Sequence, residues 1–123
     1  MSWHVRFDAA FDLEFDELAD EVQDELLAHA KLLEAFGPGL GRPRVDTLKG
    51  SRYSNMKELR FDATNGVWRV AFAFDPRRRA VLLVAGDKSG VKERRFYKAL
   101  ISKADERFGA HLARLKIDER KSR

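Results

Sequence analysis

Three apolar segments joined by two short turns, between residues 56 and 85, constrain the fold of this chain most strongly. The first two segments, residues 56–61 and 67–74, flank an Asn-Gly pair that supplies the positive φ of a tight hairpin. The second and third segments are separated by a turn that begins at Pro76. Residues 80–85 are apolar at every position, which predicts an interior strand covered on both faces. The region is therefore predicted to be a three-stranded antiparallel meander.

The hydrophobic period changes twice outside this meander. Residues 3–7 alternate apolar and polar side chains, as a half-buried strand does, whereas residues 10–36 follow helical spacing. Asp20 is placed to cap a second helix, so that span predicts a helical hairpin. A final helix is predicted over residues 91–115, followed by a charged tail at 116–123. The expected class is α+β, with a strand and a helical hairpin packed on a small, mainly antiparallel sheet.

Length and composition bound the domain count and the kinds of site. A chain of 123 residues with 44% hydrophobic content supports one core, so a single domain is expected over residues 1–115. The chain has no cysteine, which excludes a disulfide framework and a thiolate metal site. It contains no secretory leader pattern and no apolar run long enough to cross a membrane. These features predict a cytoplasmic protein without a membrane partner.

Charge is divided unevenly along the chain. Residues 1–41 carry 2 basic and 10 acidic side chains, whereas residues 42–123 carry 22 basic and 10 acidic ones. One interpretation is that a helical half and a sheet half carry solvated faces of opposite sign. The other is a molecule with an acidic side and a polyanion-binding side. We favour the second interpretation because basic residues also occupy predicted strand positions.

Strand alternation places several charged side chains on one face of the meander. Glu58, Arg60 and Arg69 alternate with apolar residues that are expected to face the helices. The small residues Ala71 and Ala73 follow Arg69 on its own face, where they are expected to leave a shallow concavity. The simplest alternative is that these charges pair across the sheet and contribute at most about 1 kcal/mol.

A charged and aromatic group completes the candidate site after the third strand. Lys88 follows that strand, and Tyr97 lies near the start of the last helix. Together with the charged sheet face, these residues supply cations, a proton acceptor and an aromatic ring, which are the groups that a phosphoryl-transfer site can use. The histidines are dispersed, and the glycine-bearing turn at 86–90 lacks a phosphate-binding pattern. We therefore expect neither a metal nor a cofactor.

Four sequence words carry a resemblance to a known family. They are Leu-Lys-Gly-Ser-Arg at 48–52, Asn-Met-Lys-Glu-Leu-Arg-Phe at 55–61, Trp-Arg-Val-Ala-Phe-Ala-Phe-Asp-Pro-Arg-Arg at 68–78, and Ala-Gly-Asp-Lys at 85–88. Over residues 3–112 the chain resembles the HigB-like, phage-derived branch of the RelE/ParE toxin superfamily. That resemblance implies a RelE-like fold and the toxin of a type II toxin–antitoxin system.

The resemblance also implies an activity and partners. The activity is ribosome-dependent cleavage of mRNA, in which the ribose 2′-hydroxyl attacks the adjacent phosphate without a metal. The implied partners are the ribosome, mRNA and a helix-turn-helix antitoxin of the HigA type. Operator DNA would be bound only through the complex with that antitoxin.

Roles for individual residues follow from the same resemblance. Arg69 matches the arginine that holds the scissile phosphate, Lys88 a basic residue near the leaving group, and Tyr97 an aromatic position that stacks on a base. Arg60 lies where relatives carry a basic residue, but an arginine stays protonated, so Glu58 or a ribosomal RNA group must accept the proton. Some HigB enzymes use histidines, which this sheet lacks. The expected contacts of the RNA backbone are Lys49, Arg52, Lys57 and Arg95.

Two further functions remain open from the sequence. One is a ParE-like poison of DNA gyrase that cuts no RNA. The other is a non-catalytic module whose basic half binds nucleic acid and whose acidic half binds a protein partner.

Overall fold

The computed structural model describes residues 2–121 as a five-stranded sheet with helices on both faces. The strands are β1 (His4–Phe7), β2 (Val45–Thr47), β3 (Lys57–Ala63), β4 (Gly66–Phe74) and β5 (Arg79–Asp87). The helices are α1 (Ala9–Asp16), α2 (Asp20–Phe36) and α3 (Glu93–Lys121), with a short 3₁₀ turn at Gly37–Gly39. The strand order is β1-β5-β4-β3-β2, and only β1 and β5 run parallel. The predicted α+β class and the antiparallel meander are confirmed.

One face of the sheet packs against the helical hairpin. The buried residues of this core include Phe11, Val22, Leu26, Leu33, Leu59, Val70, Phe72 and Leu82. The carboxylate of Asp8 caps α1 by accepting hydrogen bonds from the backbone N–H groups of Ala10 and Phe11. Ala19 is the N-cap of α2 and makes no side-chain cap, so the prediction that Asp20 caps this helix is wrong. Asp20 is instead the first helical residue, where its charge favours the helix dipole.

The other face of the sheet packs against α3. Ala71 and Ala73 are fully buried there, so the predicted shallow concavity beside Arg69 is wrong. Their small side chains leave room for the apolar face of α3, and the helix fills the space. This second core contains Leu48, Met56, Ala71, Ala73, Val81, Leu83, Val84, Phe96, Leu100, Ala104 and Phe108. A register shift between β4 and β5 next to Ala71 places both Leu83 and Val84 in this core.

Several element boundaries differ from those predicted. The positive φ angles of the β3–β4 turn belong to Thr64 and Asn65, whereas Gly66 is the first residue of β4. A Cβ at Gly66 would lie 2.7 Å from an oxygen of Asp87, so close packing requires this glycine. Strand β2 was not predicted from the sequence; it has three residues and pairs with β3 at the sheet edge. A span of three residues is too short to show a period.

The last helix is longer than predicted. The expected charged tail begins at residue 116, but α3 continues to Lys121. Residues 116–121 include no glycine or proline, and Arg120 and Lys121 place positive charge in the last turn, where the helix dipole favours it. The prediction for residues 122–123 lies outside the described residues.

A buried polar cluster joins the β4–β5 turn to α3. Asp75 Oδ2 lies 2.8 Å from Nε2 of His111 and accepts a hydrogen bond from Nε of Arg79 at 2.9 Å. Its other oxygen accepts hydrogen bonds from the backbone N–H groups of Arg77 and Arg79. Burial alone would raise the pKa of Asp75, but the hydrogen bonds from His111 and Arg79 outweigh it and hold the pKa below its usual value. The cluster fixes the middle of α3 against the sheet.

Candidate active site

A basic cleft of about 670 Å³ lies where the β2–β3 edge meets the first turns of α3. The cleft combines cationic side chains from the sheet edge, the β5–α3 loop and the helix with three carboxylates and a phenol on its walls. The residues that line it are Arg42, Asp46, Thr47, Leu48, Lys49, Glu58, Arg60, Lys88, Glu93, Arg94 and Tyr97. Such a combination suits an anionic ligand that is larger than a single phosphate group.

A hydrogen-bonded triad forms the inner wall of the cleft. Tyr97 donates its hydroxyl hydrogen to Oε1 of Glu58 at 2.8 Å. Arg69 Nε donates to the Tyr97 oxygen at 3.3 Å and lies 3.6 Å from the same Glu58 oxygen. The side chains of Glu58 and Arg69 are each only 7% exposed. The sheet and α3 therefore hold one carboxylate in a fixed orientation beside a buried cation.

Burial changes the proton affinity of this carboxylate. Desolvation raises the pKa of Glu58 above its ordinary value, although the hydrogen bond from Tyr97 and the charge of Arg69 oppose the increase. The pKa of Tyr97 is also raised, first by burial and then by its hydrogen bond to Glu58. A carboxylate with a raised pKa accepts a proton more readily at neutral pH than an exposed one does. Glu58 is therefore suited to the role of a general base.

Arg60 is more accessible from the cleft than Arg69, the other arginine on this face of the sheet. Its side chain is 31% exposed, and its Nη1 lies 3.7 Å from Oδ2 of Asp46 on the neighbouring strand. Arg42 contacts that same oxygen at 2.8 Å, and this hydrogen bond lowers the pKa of Asp46. Arg60 and Arg69 also line a smaller adjoining depression of about 310 Å³. The two arginines share this depression with the carboxylate of Asp62.

Lys88 closes the opposite side of the cleft. Its Nζ lies 3.0 Å from Oε1 of Glu93 and 5.7 Å from the centre of the Tyr97 ring. The hydrogen bond from Lys88 lowers the pKa of Glu93, so Glu93 is charged at neutral pH. Because Glu93 is exposed, the pair is open to exchange with an incoming anion.

The structure brings together most of the predicted site residues but not all of them. Glu58, Arg60, Lys88, Tyr97 and Lys49 line the cleft, and Arg69 lies directly behind Glu58.

Three predicted RNA contacts lie outside the cleft. Lys57 is on the opposite face of β3 because side chains alternate along a strand. Arg52 lies over the ring of Tyr53, and its backbone N–H donates to Asp105. Arg95 borders an apolar groove along the other side of α3.

Six residues of the cleft were missed by sequence reasoning: the neighbours Thr47 and Leu48, and four charged residues. Arg42 and Asp46 belong to the edge segment around the unpredicted strand β2. Glu93 and Arg94 lie in the first turn of α3. Arg94 precedes Tyr97 by three residues, and that spacing places both on one helix face. The Arg94–Tyr97 spacing was the one available signal.

Residues 2–121 provide neither a metal-binding cluster nor a membrane-spanning helix. No group of three or more histidine, cysteine or acidic side chains in this part of the chain is arranged to hold a metal ion. None of its helices is both long and apolar enough to cross a bilayer.

Comparison with known proteins places the chain among toxin relatives. The sequence profile of a family described as "Phage derived protein Gp49-like" matches residues 13–109. The chain is 44% identical over 99 residues to a Mycobacterium tuberculosis protein named "Putative toxin HigB2", covering 80% of this chain and 49% of that protein. It is 51% identical over 76 residues to "Putative toxin HigB3" of the same organism, covering 62% of this chain and 64% of that protein. The chain thus spans about half of the first relative and under two thirds of the second.

One solved structure has a similar fold. A mutant of the Escherichia coli toxin RelE in the free state superposes with a TM-score of 0.57, covering 84% of this chain and 97% of that one. The two sequences are 14% identical, so this similarity concerns the fold alone. The predicted RelE-like fold is confirmed.

Proposed function

The chain belongs to the phage-derived Gp49-like family, and from that premise we propose that it is the toxin of a type II toxin–antitoxin pair that cleaves mRNA on the ribosome. The relatives named as toxins support the first part of this proposal. The chemistry of the cleft supports the second part. We propose the cytoplasm as its location, because ribosomes and mRNA are its proposed targets.

The observation that carries the proposal is a buried carboxylate at the wall of a basic cleft. Glu58 has a raised pKa, is oriented by Tyr97 and faces a cavity lined by Lys49, Arg60 and Lys88. General-base catalysis needs a proton acceptor of this kind, and the surrounding cations can stabilise the additional charge on a pentacoordinate phosphate.

The proposed reaction is an intramolecular transesterification of RNA. Glu58 takes the proton of a ribose 2′-hydroxyl group, and the 2′-oxygen forms a bond to the adjacent phosphorus. The bond from phosphorus to the 5′-oxygen of the next nucleotide breaks, and Lys88 gives that oxygen a proton. The products are a 2′,3′-cyclic phosphate and a 5′-hydroxyl end, so atoms and charge balance. Tyr97 orients Glu58 through its hydroxyl group and offers part of its ring to a base.

The two arginines of the site have different roles in the proposed reaction. Arg60 is exposed to the cleft and contacts the non-bridging oxygens of the scissile phosphate. Arg69 is buried against Glu58, so it positions the base and reaches the phosphate only from the depression that it shares with Arg60. This differs from the resemblance, which gives the phosphate contact to Arg69 alone.

The proposed partners follow from the same function. A small helix-turn-helix antitoxin would neutralise the protein, and the complex, rather than the toxin alone, would bind operator DNA. The ribosome and mRNA would contact the cationic rim of the cleft, where Lys49 and Arg94 lie exposed.

Primer extension on a reporter mRNA tests the proposal directly. The purified protein is incubated with the mRNA in the presence and absence of translating ribosomes, beside Glu58→Gln, Arg60→Ala and Arg69→Ala. Arg77→Ala is the matched control, because Arg77 is exposed and lies in the turn between β4 and β5. Cuts that require ribosomes, disappear with Glu58→Gln and persist with Arg77→Ala are expected.

Other outcomes would favour the competing functions. Absence of cuts in both arms, together with DNA breaks and intact transcripts in cells, would favour a gyrase poison. Absence of cuts together with tolerance of the intact gene in cells without an antitoxin would favour a non-catalytic binding module.

A further inference from the structure

The sheet has an open, uncharged strand edge beside an apolar groove, away from the basic cleft. Strand β1 pairs with β5 only from Arg79 to Leu82. Within residues 2–121, no strand pairs with that side of β5 beyond Leu82. Arg107 Nη1 donates to the Leu83 carbonyl at 2.7 Å and so occupies the first position after β1 ends. The last residues of β5 therefore have a strand partner on the β4 side only.

An apolar groove of about 360 Å³ runs between this strand edge and α3. Its strand wall is formed by Val84, Ala85 and Gly86, and its helix wall includes Phe96 and Ala99. The Phe96 ring packs so closely on the strand that a Cβ at Gly86 would lie 2.9 Å from it. The strand wall of the groove is therefore apolar, and it has no side chain at Gly86, along the part of β5 that lacks a second strand partner.

The rim of the groove carries positive charge. Arg95 and Lys103 are exposed, and together with Ala99 they recur every four residues, so the three share one face of α3. Val91, at the end of the groove, is 43% exposed. An apolar strip between two cations fits an extended segment that carries apolar side chains in its middle and acidic ones at its ends.

Natural proteins protect open strand edges with charges, prolines or covering elements, because unprotected edges pair with other chains. Val84, Ala85 and Gly86 carry neither a charge nor a proline. We propose that this groove is a docking site for an extended, acidic-ended segment of a partner protein, which adds a strand to the free edge of β5. The inference rests on the groove and its rim, and it does not depend on RNA cleavage.

A designed peptide tests this proposal. The probe is a fluorescent nine-residue peptide with valine at every second position and two aspartates at each end. We expect binding by fluorescence anisotropy, and at least a tenfold slowing of amide hydrogen exchange over residues 84–87. The same peptide with N-methylated alternate residues should lose at least tenfold in affinity, because it cannot form the strand hydrogen bonds.

Matched variants on one helix provide the control. Ala99→Glu places a charge in the groove at an exposed helical position, and we expect it to lower affinity at least tenfold. Ala113→Glu makes the same change at an exposed position of α3 outside the groove, and it should change affinity less than twofold. Absence of binding, or equal binding by both variants, would overturn the proposal. The proposal would also be overturned if the wild-type protein were a dimer in sedimentation velocity and Ala99→Glu dissociated it. That result would assign the groove to a second copy of this chain.

Discussion

Arg60 and Arg69 lie directly opposite each other across the β3–β4 ladder, so two like charges occupy one cross-strand pair. Such a pair is destabilising unless other charges compensate for it. Glu58 lies 3.6 Å from Arg69, and Asp46 lies 3.7 Å from Arg60. Because Asp46 is also bound by Arg42, the charge of Arg60 is the less neutralised of the two. A bound phosphate would relieve this repulsion, so we expect the arginine pair to favour an anionic ligand.

Replacing Glu58 tests the general base. We expect Glu58→Gln to lower the rate of ribosome-dependent cleavage by about 100-fold or more, because it removes the proton acceptor and keeps an oxygen for Tyr97. The wild-type rate should rise with pH through the raised pKa of Glu58 and level off above it, since only the carboxylate accepts a proton. Single-turnover cleavage across pH 4 to 8 measures both effects. A rate independent of pH would contradict the assignment.

Removing the Tyr97 hydroxyl should move this titration. The hydrogen bond from Tyr97 lowers the pKa of Glu58 against the effect of burial, so its loss in Tyr97→Phe should raise that pKa further. Nuclear magnetic resonance of the Glu58 carboxyl carbon measures the shift. The pH–rate profile should move in the same direction. Phe96→Leu, next to Tyr97 but without a polar contact to Glu58, serves as the control.

The buried ion pair should couple strongly in stability. Arg69→Ala leaves Glu58 buried without its cation, and we expect the free energy of unfolding to fall by about 3 kcal/mol. The double variant Arg69→Ala with Glu58→Gln should lose less than the sum of the single changes, by about 1 kcal/mol or more. Urea denaturation measures all three variants at pH 7. Strict additivity would show that the two side chains do not interact.

The polar cluster under α3 predicts how stability depends on acidity. Because the pKa of Asp75 is lowered in the folded protein, its contribution to stability is present above the unfolded pKa of about 4 and is lost as pH falls through the folded value. Asp75→Asn should lower the free energy of unfolding by about 2 kcal/mol at pH 7. The penalty of this substitution should shrink as pH falls below the unfolded pKa of about 4. Asp24→Asn, at an exposed position of α2, should show neither effect.

Salt dependence identifies the cations that contact RNA. Lys49→Gln and Arg94→Gln should each reduce the slope of log affinity against log salt by about 0.7, because each phosphate contact on single-stranded RNA releases counterions. The slope is measured by filter binding of an RNA oligonucleotide between 50 and 200 mM salt, which is roughly the range over which such contacts weaken. Arg77→Gln lies away from the cleft and should leave the slope unchanged. An affinity that does not vary with salt would exclude phosphate contacts at the cleft.

Local chemistry made part of this structure predictable. Strand period and turn residues were sufficient for the meander, and alternation alone placed Glu58 and Arg60 on a common face. The burial of Arg69 was not predictable from its strand. It depends on a contact with Tyr97, which lies on α3, 28 residues later in the sequence. The same tertiary contact explains the error at Ala71, whose small side chain admits α3 rather than leaving a cavity. Short β2 carries no period of its own and is recognised only through its pairing with β3.

The parallel pairing of β1 with β5 joins the first strand of the chain to its last. Lys88 and Tyr97 come later still, after β5 has ended. A nascent polypeptide therefore carries Glu58 and Arg60 long before it has the phenol and the ammonium group that complete the cleft. Domains fold as units during synthesis, so the residues of the cleft come together only when α3 docks. Under the proposed function, a cell that makes this protein would meet its nuclease activity only after α3 has been translated, and chains that stop earlier would lack the complete cleft.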